Sequence, residues 1–461
     1  MRLEGITVRG LLKQFNYAIP LRAGTRVTII AGPNGYGKTT LLRLVDLFYR
    51  GAYEQLRAEP FDALELAFSD GIRLVVSRKM PINSDESTEG APRRCQIICE
   101  LFTGTTLVHH DEIKDSLHRL VRGGDPLNQY LPFMAPLGPD TWQDMRDGEI
   151  LHTVEVIERY DVALPSRVGR VLRRSSEPGW LKEHKEQFRV RFIQSQRLLI
   201  EAEDRRPAAP RPSRDTSTYQ YTVNAYAREL SQTINRQIAE YGALTASYER
   251  TFPSRFVAQD DILGDRADSL RANIRDRLEG IARKREGLQA SGLLDKQVDD
   301  RLALTPSSSD AKLVFLDLYT RDVETKLRIF DDLAAKIGLF TEILNNKFSY
   351  KKLSISRERG FVITADRLGN LPPQALSSGE QHELVLCFEL LFKTDPGNLV
   401  MIDEPEISLH VEWQESFLGD LEKMADLARF DSLIATHSPI IIGNRWDVAV
   451  NLSNQIDVVP V

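Results

Sequence analysis

Residues 32–39 read GPNGYGKT, and this octapeptide constrains the fold more than any other part of the chain. It matches G-x-x-x-x-G-K-[ST], the glycine-rich loop whose backbone N–H groups turn toward phosphate oxygens. Such a loop needs a strand before it and a helix after it, because the helix N-terminus supplies part of the anion site. Both neighbours are present. Residues 26–31 (RVTIIA) are a β-branched run, and residues 39–49 carry Leu41, Leu42, Leu44, Val45 and Phe48 at helical spacing. The candidate nucleotide-contacting residues are therefore Gly32, Pro33, Asn34, Gly35, Tyr36, Gly37, Lys38, Thr39 and Thr40. Lys38 is expected to reach the β and γ phosphates of ATP, and Thr39 to offer its hydroxyl to Mg²⁺.

A second element of the same chemistry lies far along the chain. Residues 401–404 (MIDE) close an apolar run with two acids. Asp403 is the expected Mg²⁺ ligand, acting through water, and Glu404 the expected general base for the attacking water.

Between these points the composition changes. Strand-like stretches at 3–8, 16–20, 72–77 and 95–101 give way to a proline-rich polar segment at 203–217 (EDRRPAAPRPSRDTS), which reads as a linker. Helical patterns follow at 223–249, 263–290 and 310–346, with Thr251-Phe252-Pro253 expected to separate the first two. Strands return at 352–356 and 361–365 around Arg359-Gly360, and at 399–402 and 432–435. The expected fold class is α/β, a P-loop nucleotide-binding domain split by a helical, short coiled-coil-like insertion. Its expected parts are an N-terminal lobe at 1–202, the insertion at 203–347 and a C-terminal lobe at 348–461.

Length and composition narrow the classes. A chain of 461 residues accommodates two or three domains, and 42% hydrophobic with 27% charged residues is ordinary for a soluble protein. No apolar run approaches the ~18 residues of a membrane-spanning helix. Three cysteines, Cys95, Cys99 and Cys387, make no disulfide framework, so the cytoplasm is the expected location. A net charge of -6 argues against a globally basic nucleic-acid binder. Residues 167–174 and 271–285 are candidate basic patches, and a solvated helix face is the simpler reading of each.

Residues 376–381 read LSSGEQ, ahead of a helical pattern. This resembles the LSGGQ signature of ABC-type ATPases, with Ser378 in place of the first glycine of its pair. Glu380 replaces the glutamine, as in the SMC and repair branch. The resemblance implies that Ser377, Ser378, Gly379 and Glu380 contact the nucleotide held by a second subunit, Ser377 and Gly379 through the γ-phosphate. His437, in ATHSP at 435–439, resembles the switch histidine that senses the γ-phosphate in the closed dimer. Loop, signature, acidic pair and histidine occur in the family order. DEPEISLH at 403–410 and THSP at 436–439 resemble the overcoming-lysogenisation-defect class and its relatives in the Septu and PARIS antiphage systems. Ser408 and Leu409 then fall in the D-loop, with His410 where transporters often carry Asp. FIQSQRL at 192–198 lies where the family's Q-loop falls, which implies Gln196, or the nearby Gln194, as a catalytic and Mg²⁺-binding residue.

The resemblance covers the two ends of the chain and implies a head-to-tail homodimer, or a higher even-numbered oligomer, closed by ATP. Three roles compete. One is an antiphage ATPase governing a separate nuclease. About two dozen residues follow His437, too few for a TOPRIM nuclease, and the eight histidines show no metal-ligand spacing, so the nuclease is expected on a partner. Another is an SMC-type repair ATPase that clamps DNA itself, for which a basic stripe is required. The third, a transporter subunit, requires loop and signature to lie far closer than the nearly 340 residues between Lys38 and Ser377.

Overall fold

In the computed structural model the residues described are 1–21, 24–79, 95–113, 131, 133–137, 141–146, 150–152, 156, 177–193, 199–201, 219–259, 267–295 and 309–455. By contacts the chain divides into two compact units. One comprises Met1–Ser195, Thr394–Ile407 and Arg429–Val461, and the other Gln196–Lys393 and Ser408–Ala428.

Among the described residues the first unit carries three sheets, the smallest formed by Met134–Pro136, Thr141–Asp144 and Ile150–His152. A five-stranded sheet has the order Val190–Ile193, Leu399–Asp403, Asp431–Thr436, Val27–Ala31, Ala449–Asn451, every pair parallel. Its central strands are apolar on both faces, Val27–Ala31 and Leu399–Ile402 being buried throughout, as a doubly covered parallel sheet requires. A six-stranded antiparallel sheet runs Phe15–Pro20, Leu3–Leu11, Ala63–Phe68, Ile72–Lys79, Gln96–Thr103, Thr106–Ile113. Helix Lys38–Arg50 joins the five- and six-stranded sheets through one apolar core. Leu41, Leu42, Leu44, Val45, Leu47 and Phe48 are fully buried, each worth about 1.5–3 kcal/mol in removed apolar surface. The helix stops at Gly51, whose φ of +73° suits a left-handed cap.

The second unit is helical, with one small meander and an antiparallel strand pair, Leu199–Glu201 with Tyr219–Tyr221. Helices Thr222–Val257, Ala267–Ala290, Asp310–Leu327 and Asp331–Lys347 precede antiparallel strands Lys351–Ser356, Gly360–Ala365 and Gly369–Leu371. Helices Ser378–Phe392 and Val411–Ala428 complete it. The helix Thr222–Val257 packs directly on the central strand of the meander. A Cβ on Gly360 would lie 1.8 Å from the Ala227 carbonyl oxygen.

The expected α/β class is observed, and the helical interruption with it. One element differs from expectation. Pro253 lies inside Thr222–Val257 and does not end it. Among the described residues no helix is long and apolar enough to cross a membrane.

Candidate functional site

The registers of the parallel sheet bring the motifs to one edge. Ala31 is opposite Thr436, and Ala435 is opposite Asp403. The glycine loop, the acidic pair and the histidine therefore leave three neighbouring strands at their carboxyl ends, where α/β sheets bind ligands.

The loop is shaped by glycine. Gly35 has φ +87° and Gly37 φ +77°, and Gly37 caps helix Lys38–Arg50 with no side-chain hydrogen bond. A Cβ on Gly37 would approach Leu11 Cδ2 to 2.9 Å, so the chain must pass bare at this point. Tyr17 Oη donates to the Tyr36 carbonyl at 3.0 Å, and Phe15 stacks between Tyr17 and Tyr36 at 5.6 and 5.8 Å. Burial pushes the Tyr17 phenol up to about 12, so it stays a donor. Leu41 N–H returns to the Gly37 carbonyl. The first amides of the helix, by contrast, have no preceding turn to serve as acceptor.

Lys38 is buried, and its Nζ donates to the carbonyls of Gly32 at 2.7 Å and Pro33 at 3.0 Å. Burial lowers its pKa, opposed by the charges of Glu404, Glu406 and Asp403. Thr39 Oγ1 donates to Asp403 Oδ1 at 3.2 Å. Burial pushes the Asp403 carboxyl up to about 6, opposed by the Thr39 hydrogen bond, reinforced by Glu404 and Glu406, and opposed by Lys38.

Glu404 holds φ +43°, outside the range a non-glycine residue prefers. Its N–H donates to the Ala435 carbonyl at 2.9 Å, and its carboxylate lies 3.9 Å from His437 Nδ1. Glu406, two residues on, is the residue that motif reading missed. Its Oε1 accepts from Thr436 Oγ1 at 2.7 Å and from the His437 N–H at 2.9 Å, and sits 3.0 Å from His437 Nδ1. A second buried acid after DEP was the available signal.

These groups fit a magnesium nucleotide. Three carboxylates, Asp403, Glu404 and Glu406, act on one lysine, and hydroxyl and carboxylate oxygens are the donors Mg²⁺ takes. Lys38, folded back on loop carbonyls, marks a cation already aimed into the glycine loop.

The signature-like residues lie in the other unit. Ser377 N-caps helix Ser378–Phe392 in a reciprocal capping box with Glu380. Ser377 and Ser378 are exposed, Gly379 is half-buried, and Glu380 is buried. Gln381 Nε2 braces the turn by donating to the carbonyls of Leu376 at 2.8 Å and Gln374 at 3.1 Å. Of the candidate basic patch at 271–285, Arg277 is held between Asp317 and Glu324, Arg271 on Asp268 and Lys284 on Asp331. Gln194, Gln196, the stretch 203–217 and the arginines of 167–174 lie outside the described residues.

Residues 218–443, just under half of the chain, match the profile of the family described as "AAA domain, putative AbiEii toxin, Type IV TA system". No curated protein matches. Among solved structures, the chain aligns with the Smc head domain with an extended coiled coil bound to the C-terminal domain of ScpA, from Pyrococcus furiosus. The identity is 13%, with 96% of this chain and 91% of that chain covered and a TM-score of 0.33. It also aligns with the SmcHead bound to the C-winged helix domain of ScpA, at 13% identity, 96% and 92% coverage and a TM-score of 0.30. The parallel sheet with its glycine loop and acidic strand end form a P-loop-type α/β fold, and the profile match adds an AAA domain to that description.

Proposed function

We propose that the chain binds and hydrolyses ATP at a site completed by a second copy, and that this cycle regulates a partner effector in a bacterial antiphage system. The observation carrying the catalytic part is the convergence of Lys38, Thr39, Asp403, Glu404 and His437 at one edge of the parallel sheet. In this reading residues 32–40 wrap the phosphates, and Lys38 exchanges its two loop carbonyls for phosphate oxygens. Thr39 and Asp403 hold Mg²⁺, with Gln196 the further candidate ligand and water-positioning group. Bound Mg²⁺ neutralises charge on the phosphate oxygens. Glu404 accepts a proton from the attacking water, and His437, steadied by Glu406, faces the γ-phosphate. Ser377, Ser378, Gly379 and Glu380 of a second copy close the site, so ATP favours the assembled state by contacts that ADP lacks. Residues 1–202 and 348–461 act as the ATPase lobes, and 203–347 carries the movement outward.

The defence role rests on the DEPEISLH and THSP resemblance and on the matched family's description as part of a toxin–antitoxin system, which supports a chain working with a cognate partner.

The test is light scattering on Glu404→Gln with and without ATP and Mg²⁺, alongside wild-type turnover. The expected result is ATP-dependent assembly of the variant into a dimer or larger even-numbered species, with hydrolysis reduced about a hundredfold or more. A variant that stays monomeric with ATP bound would sink the shared site, and one hydrolysing at the wild-type rate would remove Glu404 as base.

A further inference from the structure

The turn at 377–380 contains a contradiction if it meets a triphosphate. A helix N-terminus favours anions, but here Glu380 already brings a carboxylate to it. Glu380 Oε2 accepts from Ser377 N–H at 2.7 Å and from Ser377 Oγ at 2.9 Å. An uncompensated charge there would repel a second anion.

The compensation comes from the neighbouring strand. Lys351 Nζ lies 2.8 Å from Oε1 and 2.7 Å from Oε2 of Glu380, engaging both oxygens. Its side chain is 23% exposed and that of Glu380 11%, so solvent screens the pair only partly. Burial alone would raise the Glu380 pKa, but the hydrogen bonds from Lys351 and Ser377 hold it below the usual carboxylate range. Tyr350, immediately before Lys351, holds φ +60° and is 84% exposed. The strand Lys351–Ser356 begins with its first side chain directed at the helix start.

We propose that Lys351 is a positioning residue for nucleotide-driven assembly: it cancels the charge of Glu380 and holds that carboxylate against Ser377, leaving the head of helix Ser378–Phe392 able to receive the γ-phosphate of ATP bound to another copy. This rests on the shared-site reading above. It explains how a signature with Glu in place of Gln can serve an anion. The pair keeps the geometry of the capping box while removing its net charge, and the amides of Ser378 and Gly379, which head the helix, remain for the ligand.

A purely structural salt bridge and a charge-cancelling one predict opposite signs for one variant. In the Glu404→Gln background, association is measured by light scattering against protein concentration, with ATP and Mg²⁺, for Lys351→Met, Glu380→Gln and the double variant. ATP affinity of the dilute monomer and the melting temperature are measured beside it. Lys351→Met is expected to weaken ATP-driven association about tenfold or more, leaving monomer affinity for ATP within twofold. Glu380→Gln keeps an acceptor for Ser377 and removes the charge, so it is expected to tighten association. The double variant is expected to recover most of what Lys351→Met loses. If Glu380→Gln weakens association, or if Lys351→Met leaves it unchanged, the proposal is overturned while the shared site stands. If the Glu404→Gln parent itself fails to associate with ATP, the shared site falls and the proposal with it. Should Lys351→Met not fold, the sign of the Glu380→Gln effect alone decides.

Discussion

Two glutamates two residues apart stand at the strand end in different surroundings. Glu404 occupies the left-handed region at φ +43°, a conformation costing about 1–3 kcal/mol, and aims its carboxylate past His437 at 3.9 Å. Glu406 is buried and spends one oxygen on three contacts, Thr436 Oγ1, His437 N–H and His437 Nδ1. It therefore fixes both the backbone and the ring of the histidine. Glu406→Gln keeps an acceptor but loses the charge beside Nδ1. Turnover should fall about tenfold or more while ATP affinity stays within twofold, since a hydrogen bond to a charged group is worth about 1.5–3 kcal/mol. Steady-state kinetics read beside equilibrium ATP binding check this, and an unchanged kcat would release Glu406 from any positioning role. Sequence alone showed the lysine, the aspartate and the first glutamate, because each sits at a fixed offset in a short motif. Glu406 escaped because its partners lie 30 and 31 residues further along the chain.

Elements were legible where a single face or a continuous apolar run decides them. Helix Lys38–Arg50 and strands Val27–Ala31, Leu399–Asp403 and Asp431–Thr436 follow directly from such patterns. Strand Thr106–Ile113 gave no alternation because it is an exposed sheet edge, and Ala63–Phe68 (ALELAF) is built from good helix formers held extended by two strand partners. Pro253 was read as a stop, yet the helix continues one turn past it. Side-chain contacts surround this turn and tie it to a neighbouring helix. Thr251 Oγ1 donates to the Ser247 carbonyl, and Arg255 donates to the Tyr248 carbonyl at 3.1 Å while gripping Asp322 at 2.7 Å through both terminal nitrogens. Nor does any local pattern reveal how helices Asp331–Lys347, Ser378–Phe392 and Val411–Ala428 are joined. Lys347, 5% exposed, bridges Glu383 and Asp420, the latter at 2.8 Å. Lys347→Met would leave two carboxylates facing each other in a site built for a cation, and should cost about 3–5 kcal/mol. Adding Glu383→Gln and Asp420→Asn should return much of that loss. Urea denaturation of the single and triple variants measures both, and a single variant as stable as the parent would show that the three helices hold without this ionic tie.

At the scale of the molecule, the nucleotide-binding unit is not a continuous piece of chain. Its parallel sheet takes Val27–Ala31 and Val190–Ile193 from one segment, Leu399–Asp403 from a second, and Asp431–Thr436 with Ala449–Asn451 from a third. The order interleaves them. Val27–Ala31 is flanked on both sides by strands from the third segment, and Val190–Ile193 pairs with a strand of the second. Fragment 1–195 therefore contains the whole glycine loop but none of the partners of the strand that presents it. Val27, Ile29 and Ile30, all at 1% exposure or less in the full chain, would be bared on that strand together with its unpaired N–H and C=O groups. The loop's geometry should not survive this. Fragment 1–195 is expected to aggregate or to melt without a cooperative transition, and to bind ATP at least about a hundredfold more weakly than the full chain, since Asp403, the proposed Mg²⁺ ligand, is gone as well. Circular dichroism melting and nucleotide titration on fragment and full chain make the comparison. A fragment that melted cooperatively and bound ATP like the full chain would mean that the antiparallel sheet and helix Lys38–Arg50 suffice to shape the loop, and that the later segments contribute catalysis without building the phosphate site.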